Sequence, residues 1–165
     1  MLTVSNVTPE QITQFYLIDP KLCKMALPDH QLKSLMETGE YISDEGDTYL
    51  GVYLQDELVA LFRYEPIFRN DDPKNIWIHV YIHSWLHGVD FRRDVQLVLV
   101  DWFLEHTNIK RVNMQVPMCC KHVQDSIDLD DKWSRDGIIP KEESIWRGEP
   151  MEFIIYTMEL KHGSV

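Results

Sequence analysis

Residues 75–116 constrain this chain more than any other stretch: an apolar run from Ile76 to His83, a glycine-containing turn Ser84-Trp-Leu-His-Gly-Val-Asp90, a helical pattern over 91–107 and a second apolar run over 109–116. Side chains alternate along a strand, so Ile76, Ile78, Val80 and Ile82 fall on one face of the first run and Trp77, His79, Tyr81 and His83 on the other. Bulk on both faces predicts a strand covered on both sides. Beyond the turn, Val95, Leu97, Val98, Leu99, Trp102, Phe103 and His106 recur at three-to-four spacing, the mark of an amphipathic helix. The unit expected is strand, turn, helix, strand, joined by a right-handed crossover. A strand feeding through a glycine turn into a helix start makes a phosphate cradle, because unpaired backbone N–H groups and the helix dipole point to one spot.

The flanking sequence extends this unit into an α/β domain. Alternation over 2–7 predicts a short strand, and Thr8-Pro9-Glu10-Gln11 reads as an N-cap, a first-turn proline and an acid at the positive helix end. Asp19-Pro20 breaks that helix, and two further helical pieces are expected over 21–26 and 31–37, stopped at Gly39. The β-rich runs 49–54 and 58–64 flank Gln55-Asp-Glu57, which predicts a hairpin with a three-residue loop. A polar connection over 68–74 follows. Later come an amphipathic helix over 121–133, a strand near Ile138-Ile139 and a final apolar strand over 151–160. The order predicts a mixed, twisted sheet with helices on both faces, in one domain over 1–165.

Composition limits the partners. With 27 acidic and 16 basic residues the formal net charge is −11, which opposes binding to nucleic-acid backbones or anionic membranes. The densest acidic clusters, Asp44-Glu45-Gly46-Asp47 and Asp128-Leu129-Asp130-Asp131, are short and separate, unlike a regular DNA-mimic face. Cys23, Cys119 and Cys120 make no disulfide framework, so a reduced, cytoplasmic protein is expected. The first residues lack a basic segment followed by an apolar core, and no apolar run is long enough to span a membrane. Cys119-Cys120 with His122 supplies too few close ligands for a zinc site, so no metal is assigned.

This order of elements resembles the GCN5-related N-acetyltransferase superfamily over nearly the whole chain. In that family the turn after the central strand reads Gln/Arg-x-x-Gly-x-Gly/Ala and holds the pyrophosphate of acyl-coenzyme A; the matching positions here are Trp85, Gly88 and Asp90. The resemblance implies a single-domain acyl-CoA N-acyltransferase fold, with Trp85, Gly88, Asp90, Arg92 and Arg93 as a degenerate cofactor turn. Asp90 stands where the family keeps a small residue, and a carboxylate about 4 Å from a phosphate opposes it by roughly 1 kcal/mol in water and about 4 kcal/mol near a protein surface. The alternative for Arg92 and Arg93 is an ion pair with Asp90 or Asp94. A second family landmark, Tyr-x-x-x-Gly-Phe on the helix before the last strands, corresponds to Trp133-Ser-Arg-Asp-Gly-Ile138, where an indole N–H cannot serve as a general acid. Trp85 and Trp133 would then flank the cofactor cleft.

Candidate catalytic groups are Tyr81 and His83, with His79 on the same strand face, and Glu65 after the second hairpin strand. A histidine of ordinary pKa can deprotonate an amine nucleophile; the alternative is packing of that face against a helix. Two functions follow. One is a non-catalytic protein-binding or assembly factor, similar to accessory proteins of tailed phages and acting in the host cytoplasm, with no cofactor, another protein as partner and oligomers open to it through its sheet edges. The other is an acetyl-CoA-dependent N-acyltransferase acting on an amine. An acidic antagonist of a nucleic-acid enzyme is a third reading.

Overall fold

A computed structural model describes residues 1–43, 47–67, 74–86 and 88–162. Residues 44–46 of the first acidic cluster, most of the 68–74 connection and His87 of the turn lie outside the described residues. The elements in chain order are β1 (Leu2–Asn6), α1 (Pro9–Leu17), α2 (Pro20–Ala26), α3 (Asp29–Thr38), β2 (Thr48–Leu54), β3 (Glu57–Pro66), β4 (Asn75–Ile82), α4 (Val89–His106), β5 (Arg111–Pro117), α5 (Lys121–Asp128), β6 (Ser134–Ile139), β7 (Ile145–Trp146), β8 (Glu149–Pro150) and β9 (Phe153–Glu159). Seven strands form a mixed sheet in the order β1-β2-β3-β4-β5-β9-β6, and β7 with β8 makes a separate small hairpin. The chain forms two compact units, Met1–Glu65 with His79–Trp102, and Pro66–Ile78 with Phe103–Val165.

The first unit is built around the aromatic stripe of α1. Thr8 caps that helix in a capping box with Gln11, which satisfies two of the backbone groups a helix start leaves open. Ile12, Phe15 and Tyr16 then pack with Leu22, Cys23, Leu27, Leu35, Tyr41 and Leu61 in one apolar core. Antiparallel pairing sets Tyr49 opposite Arg63 and Leu54 opposite Glu57. The hairpin therefore closes through two residues, not the three expected: Gln55 and Asp56 both take positive φ, at 50° and 68°, the type I′ geometry that matches strand twist.

Asp19 is the polar anchor of this unit. Its side chain caps α2 by accepting from the Leu22 N–H at 3.1 Å, and it also accepts from the Ser84 N–H at 2.7 Å and the Ser84 hydroxyl at 2.8 Å. One carboxylate, only 2% exposed, thus ties the corner between α1 and α2 to the turn that follows β4. Burial would raise its pKa, but the three donors outweigh it and hold the carboxyl below its ordinary 3.8.

In the second unit β4 and β5 run parallel, pairing Asn75–Arg111, Ile76–Val112 and Trp77–Asn113, while β5 and β6 both pair antiparallel to β9. Asn113 stitches three strands by donating to the Asn75 side chain at 2.6 Å and the Ile76 carbonyl at 3.0 Å, and by accepting from Thr157 at 3.0 Å. The helix expected over 121–133 ends at Asp128, and Trp133 stands outside it, at the entry to β6. Leu129 to Lys132 are rich in aspartate, which prefers turns to helix interiors; the Asp130 carboxylate accepts from the Lys132 N–H at 3.0 Å.

Removing the Asp19 carboxylate should be costly. Asp19→Ala leaves buried N–H groups without acceptors and should lower unfolding free energy in urea titration by about 3 kcal/mol. Because the folded pKa is depressed, the stability this carboxylate contributes is complete above about pH 4 and disappears as pH falls through that lower value. The wild-type advantage over Asp19→Ala should shrink accordingly between pH 5 and pH 2.

Candidate active site

The candidate catalytic residues and those of the cofactor turn lie in the first unit, in two groups. One is the turn after β4. Ser84 to Leu86 form a short 3-10 turn, and α4 begins at Val89, two residues earlier than the sequence pattern suggested, so Asp90 sits inside its first turn. The Arg92 N–H donates to the Gly88 carbonyl at 3.0 Å, the first bond of the helix. The N–H groups of Gly88, Val89, Asp90 and Phe91 therefore lack intrahelical acceptors by construction. A Cβ added at Gly88 would meet nothing within 4 Å, its chain neighbours aside, so the space directly over that residue is open.

Asp90 is exposed, as a carboxylate in a first helical turn prefers to be. No ion pair between described residues involves Asp90, Arg92, Arg93 or Asp94, so the pairing weighed from sequence is not formed. Arg93 points to solvent, whereas Arg92 is half buried and burial alone pulls its pKa down. A half-buried guanidinium with no counter-charge among the described residues, one turn from a helix start, could take an anion. Trp85 is 55% exposed and stacks on His83 with ring centroids 4.4 Å apart.

His83 follows the alternative given for this strand face, packing against a helix. Its ring is buried between Phe15, at 4.0 Å, and Trp85, and its Nε2 lies 3.1 Å from the Phe15 carbonyl, to which Nε2–H donates. Burial lowers its pKa. It is a packing residue that fixes the start of the turn against α1. The second family landmark also fails to form as read: Trp133 is buried ahead of a strand, and Ile138 lies exposed within β6.

The other group occupies one face of the hairpin and β4. Glu65 and Arg63 alternate on β3, and His79 and Tyr81 alternate on β4. His79 Nε2 stands 3.9 Å from Glu65 Oε1, the outer limit of an ion pair and longer than a hydrogen bond; the side chains are 30% and 43% exposed. Burial pulls the His79 pKa down despite Glu65 beside it, so the imidazole is neutral near pH 7. His79 in turn lowers the Glu65 pKa, against burial, and keeps it a carboxylate. Tyr81 is pushed up to about 12, first by burial, and remains a phenol.

Sequence reading missed the residues behind this pair. Arg63 gives Nη1 to Asp47 at 3.4 Å, and its guanidinium lies 6.0 Å from the centroid of the Tyr81 ring. Tyr41 and Tyr49 bond hydroxyl to hydroxyl, and Tyr16 sits at 5.0 Å from Tyr41 and 6.1 Å from Tyr81. The available signal was a lone arginine inside the apolar run 58–64. The cysteine candidates are weak nucleophiles: Cys23 donates to the Tyr16 carbonyl and Cys120 is half buried, each pushed up by burial to about 11.

With this geometry in hand, likeness to known structures defines the class of fold. A chimera of the Vibrio cholerae spermidine N-acetyltransferase SpeG with hSSAT superposes with a TM-score of 0.74 at 15% identity, over 96% of this chain and 95% of that one. The same V. cholerae enzyme in complex with CoA and spermine gives 0.72 at 14%, over 96% and 95%. An acetyltransferase of the GNAT family from Streptococcus pneumoniae gives 0.66 at 8%, over 98% and 100%. No protein-family model matches the chain, and no curated protein matches it in sequence. The chain thus has the α/β fold of the GNAT acyltransferases. No helix among the described residues is long and apolar enough to cross a membrane.

Two histidines with lowered pKa values, His83 buried and His79 partly so, set a sign for pH dependence. Such a group binds its proton more readily when unfolded, so stability is complete above about pH 6.5 and falls as pH drops through the lower folded value. Thermal midpoints measured from pH 7.5 to pH 5 should decline on the acid side, and the slope should be shallower in His83→Gln.

Proposed function

We propose that this chain is an acetyl-CoA-dependent N-acyltransferase acting on an amine. The observation that carries the reading is the Glu65–His79 pair: a neutral imidazole, partly open to solvent, beside a carboxylate able to stabilise it once it gains a proton. That is the arrangement a general base needs to deprotonate an amine as it attacks. Tyr81, held as a phenol on the same strand face, supplies a hydrogen-bond donor.

The turn fits the cofactor that the fold implies. Its open Gly88, the free N–H groups at the start of α4 and the uncompensated Arg92 would take the phosphates, and bound acetyl-CoA would supply an acyl group activated as a thioester. Asp90 opposes this, but it is exposed, so the water limit of about 1 kcal/mol applies and affinity suffers only about fivefold.

A second reading is protein binding without catalysis, as in an assembly factor of a tailed phage, with a cytoplasmic setting. Its support is Trp85 and Ile18, each 55% exposed, the latter next to the Asp19 that holds Ser84.

Calorimetry separates the two. Acetyl-CoA should bind in the micromolar range, about tenfold more weakly to Arg92→Ala and a few-fold more tightly to Asp90→Gly. His79→Ala should reduce turnover of an amine by about a hundredfold or more, and wild-type activity should fall only as pH drops below about 6.5. No binding to the wild type, with binding gained by Asp90→Gly combined with Trp85→Gln, would favour the second reading.

A further inference from the structure

Two donors in the cluster behind Glu65 and His79 are buried without acceptors: Arg63 Nε–H and the Tyr16 hydroxyl. Buried polar groups in folded proteins are almost always paired, so two orphans in one cluster point to a partner that the described residues do not provide. Nε–H is only a donor, and the partner it lacks is an oxygen acceptor. The Arg63 side chain is 15% exposed and spends one Nη on Asp47, so an oxygen acceptor would approach the exposed part of its fork, with Nε–H lying beneath the surface beside it.

Charge order along β3 says what kind of molecule carries that oxygen. Arg63 and Glu65 share a face two residues apart, about 7 Å along the strand, so a positive and a negative group stand in a row. Asp47 and Tyr49 flank the row from β2 and the residues before it, His79 and Tyr81 from β4, Tyr16 from α1, and Tyr41 closes on Tyr49. With Asp47 and Glu65 against Arg63, a lone carboxylate is repelled. A molecule that brings an ammonium to Glu65 and an acid to Arg63 matches both ends.

We propose that the acyl acceptor is a small amino acid whose amine and carboxylate are several ångströms apart, with Arg63 receiving its carboxylate while Glu65 and His79 face its amine. This rests on the acyltransferase reading, and it names that reaction's acceptor class. Arg63 is on this view a specificity determinant that touches substrate away from the reacting nitrogen.

The test pairs acids with the amines that lack them: β-alanine, γ-aminobutyrate and δ-aminovalerate against propylamine, butylamine and pentylamine. At least one amino acid should be acetylated with kcat/KM ten or more times that of its paired amine. Arg63→Met should lower kcat/KM for the amino acid at least tenfold more than for its paired amine, and Arg63→Lys should restore part of that preference. Equal use of acid and amine, or equal loss on both in Arg63→Met, overturns the proposal. A readout independent of activity is the Arg63 Nε–H signal in nitrogen-15 correlation spectra of the wild type. It should move with the amino acids and stay still with the amines; no movement with any amino acid overturns the acid subsite. If nothing is acetylated yet the Arg63 signal responds to an amino acid and not to its amine, the subsite stands and the acyltransfer reading falls.

Discussion

The Asp19 carboxylate organises the half of the molecule where the candidate site lies. A buried charge is tolerable only when donors replace water, and three donors from two remote segments do so here: Leu22 at the start of α2, and the backbone and hydroxyl of Ser84 after β4. Because those donors are far apart in sequence, satisfying one acid fixes the helical corner and the turn against each other. The Phe15–His83–Trp85 stack runs beside it and brings the α1 carbonyl of Phe15 to the imidazole. The cradle at Gly88 begins only four residues beyond Ser84. Its position is therefore set by a contact that takes no part in binding.

On the hairpin face the logic is electrostatic. Arg63 keeps its charge despite burial, with the Asp47 carboxylate 3.4 Å from its Nη1 as counter-charge. That charge stands on the same face as Glu65 and acts with burial to keep His79 unprotonated. On the proposed acyltransferase reading, the neutral imidazole of His79, the Glu65 carboxylate and the start of α4 are the working parts, and each is supplied by ordinary secondary structure. What departs from the family pattern, Trp85 and Asp90, is confined to the rim of the turn: one packs on a structural histidine and the other faces water.

Most of the architecture was legible because it rests on period and punctuation. Thr8-Pro9, Asp19-Pro20 and Gly39 mark helix ends through capping and φ preference, and the alternation in β4 and the stripe in α4 report burial directly. The errors came where local signals compete. The hairpin loop is two residues because Gln55 and Asp56 accept positive φ, a choice that strand pairing imposes against their usual preference. The helix of α5 stops short because a run of aspartates bonds its own backbone. Leu97 fits the helical stripe by spacing yet is exposed, since spacing says which residues share a face but not how wide the covered face is.

The site was only half legible for the same reason. Sequence alone determined the strand–turn–helix cradle, the candidate face of β4 and the absence of long apolar or basic segments, because these depend on neighbours along the chain. Tertiary structure decided which histidine stands beside a carboxylate near solvent and which is packed away. His79 and His83 share a strand face and a chemistry, and they differ because one meets Glu65 near solvent while the other is sandwiched between Phe15 and Trp85. It also joined Asp47, Arg63 and the phenols into one cluster. Charge and pKa are set by what surrounds a group in space, and folding brings those surroundings from segments that the linear order keeps apart.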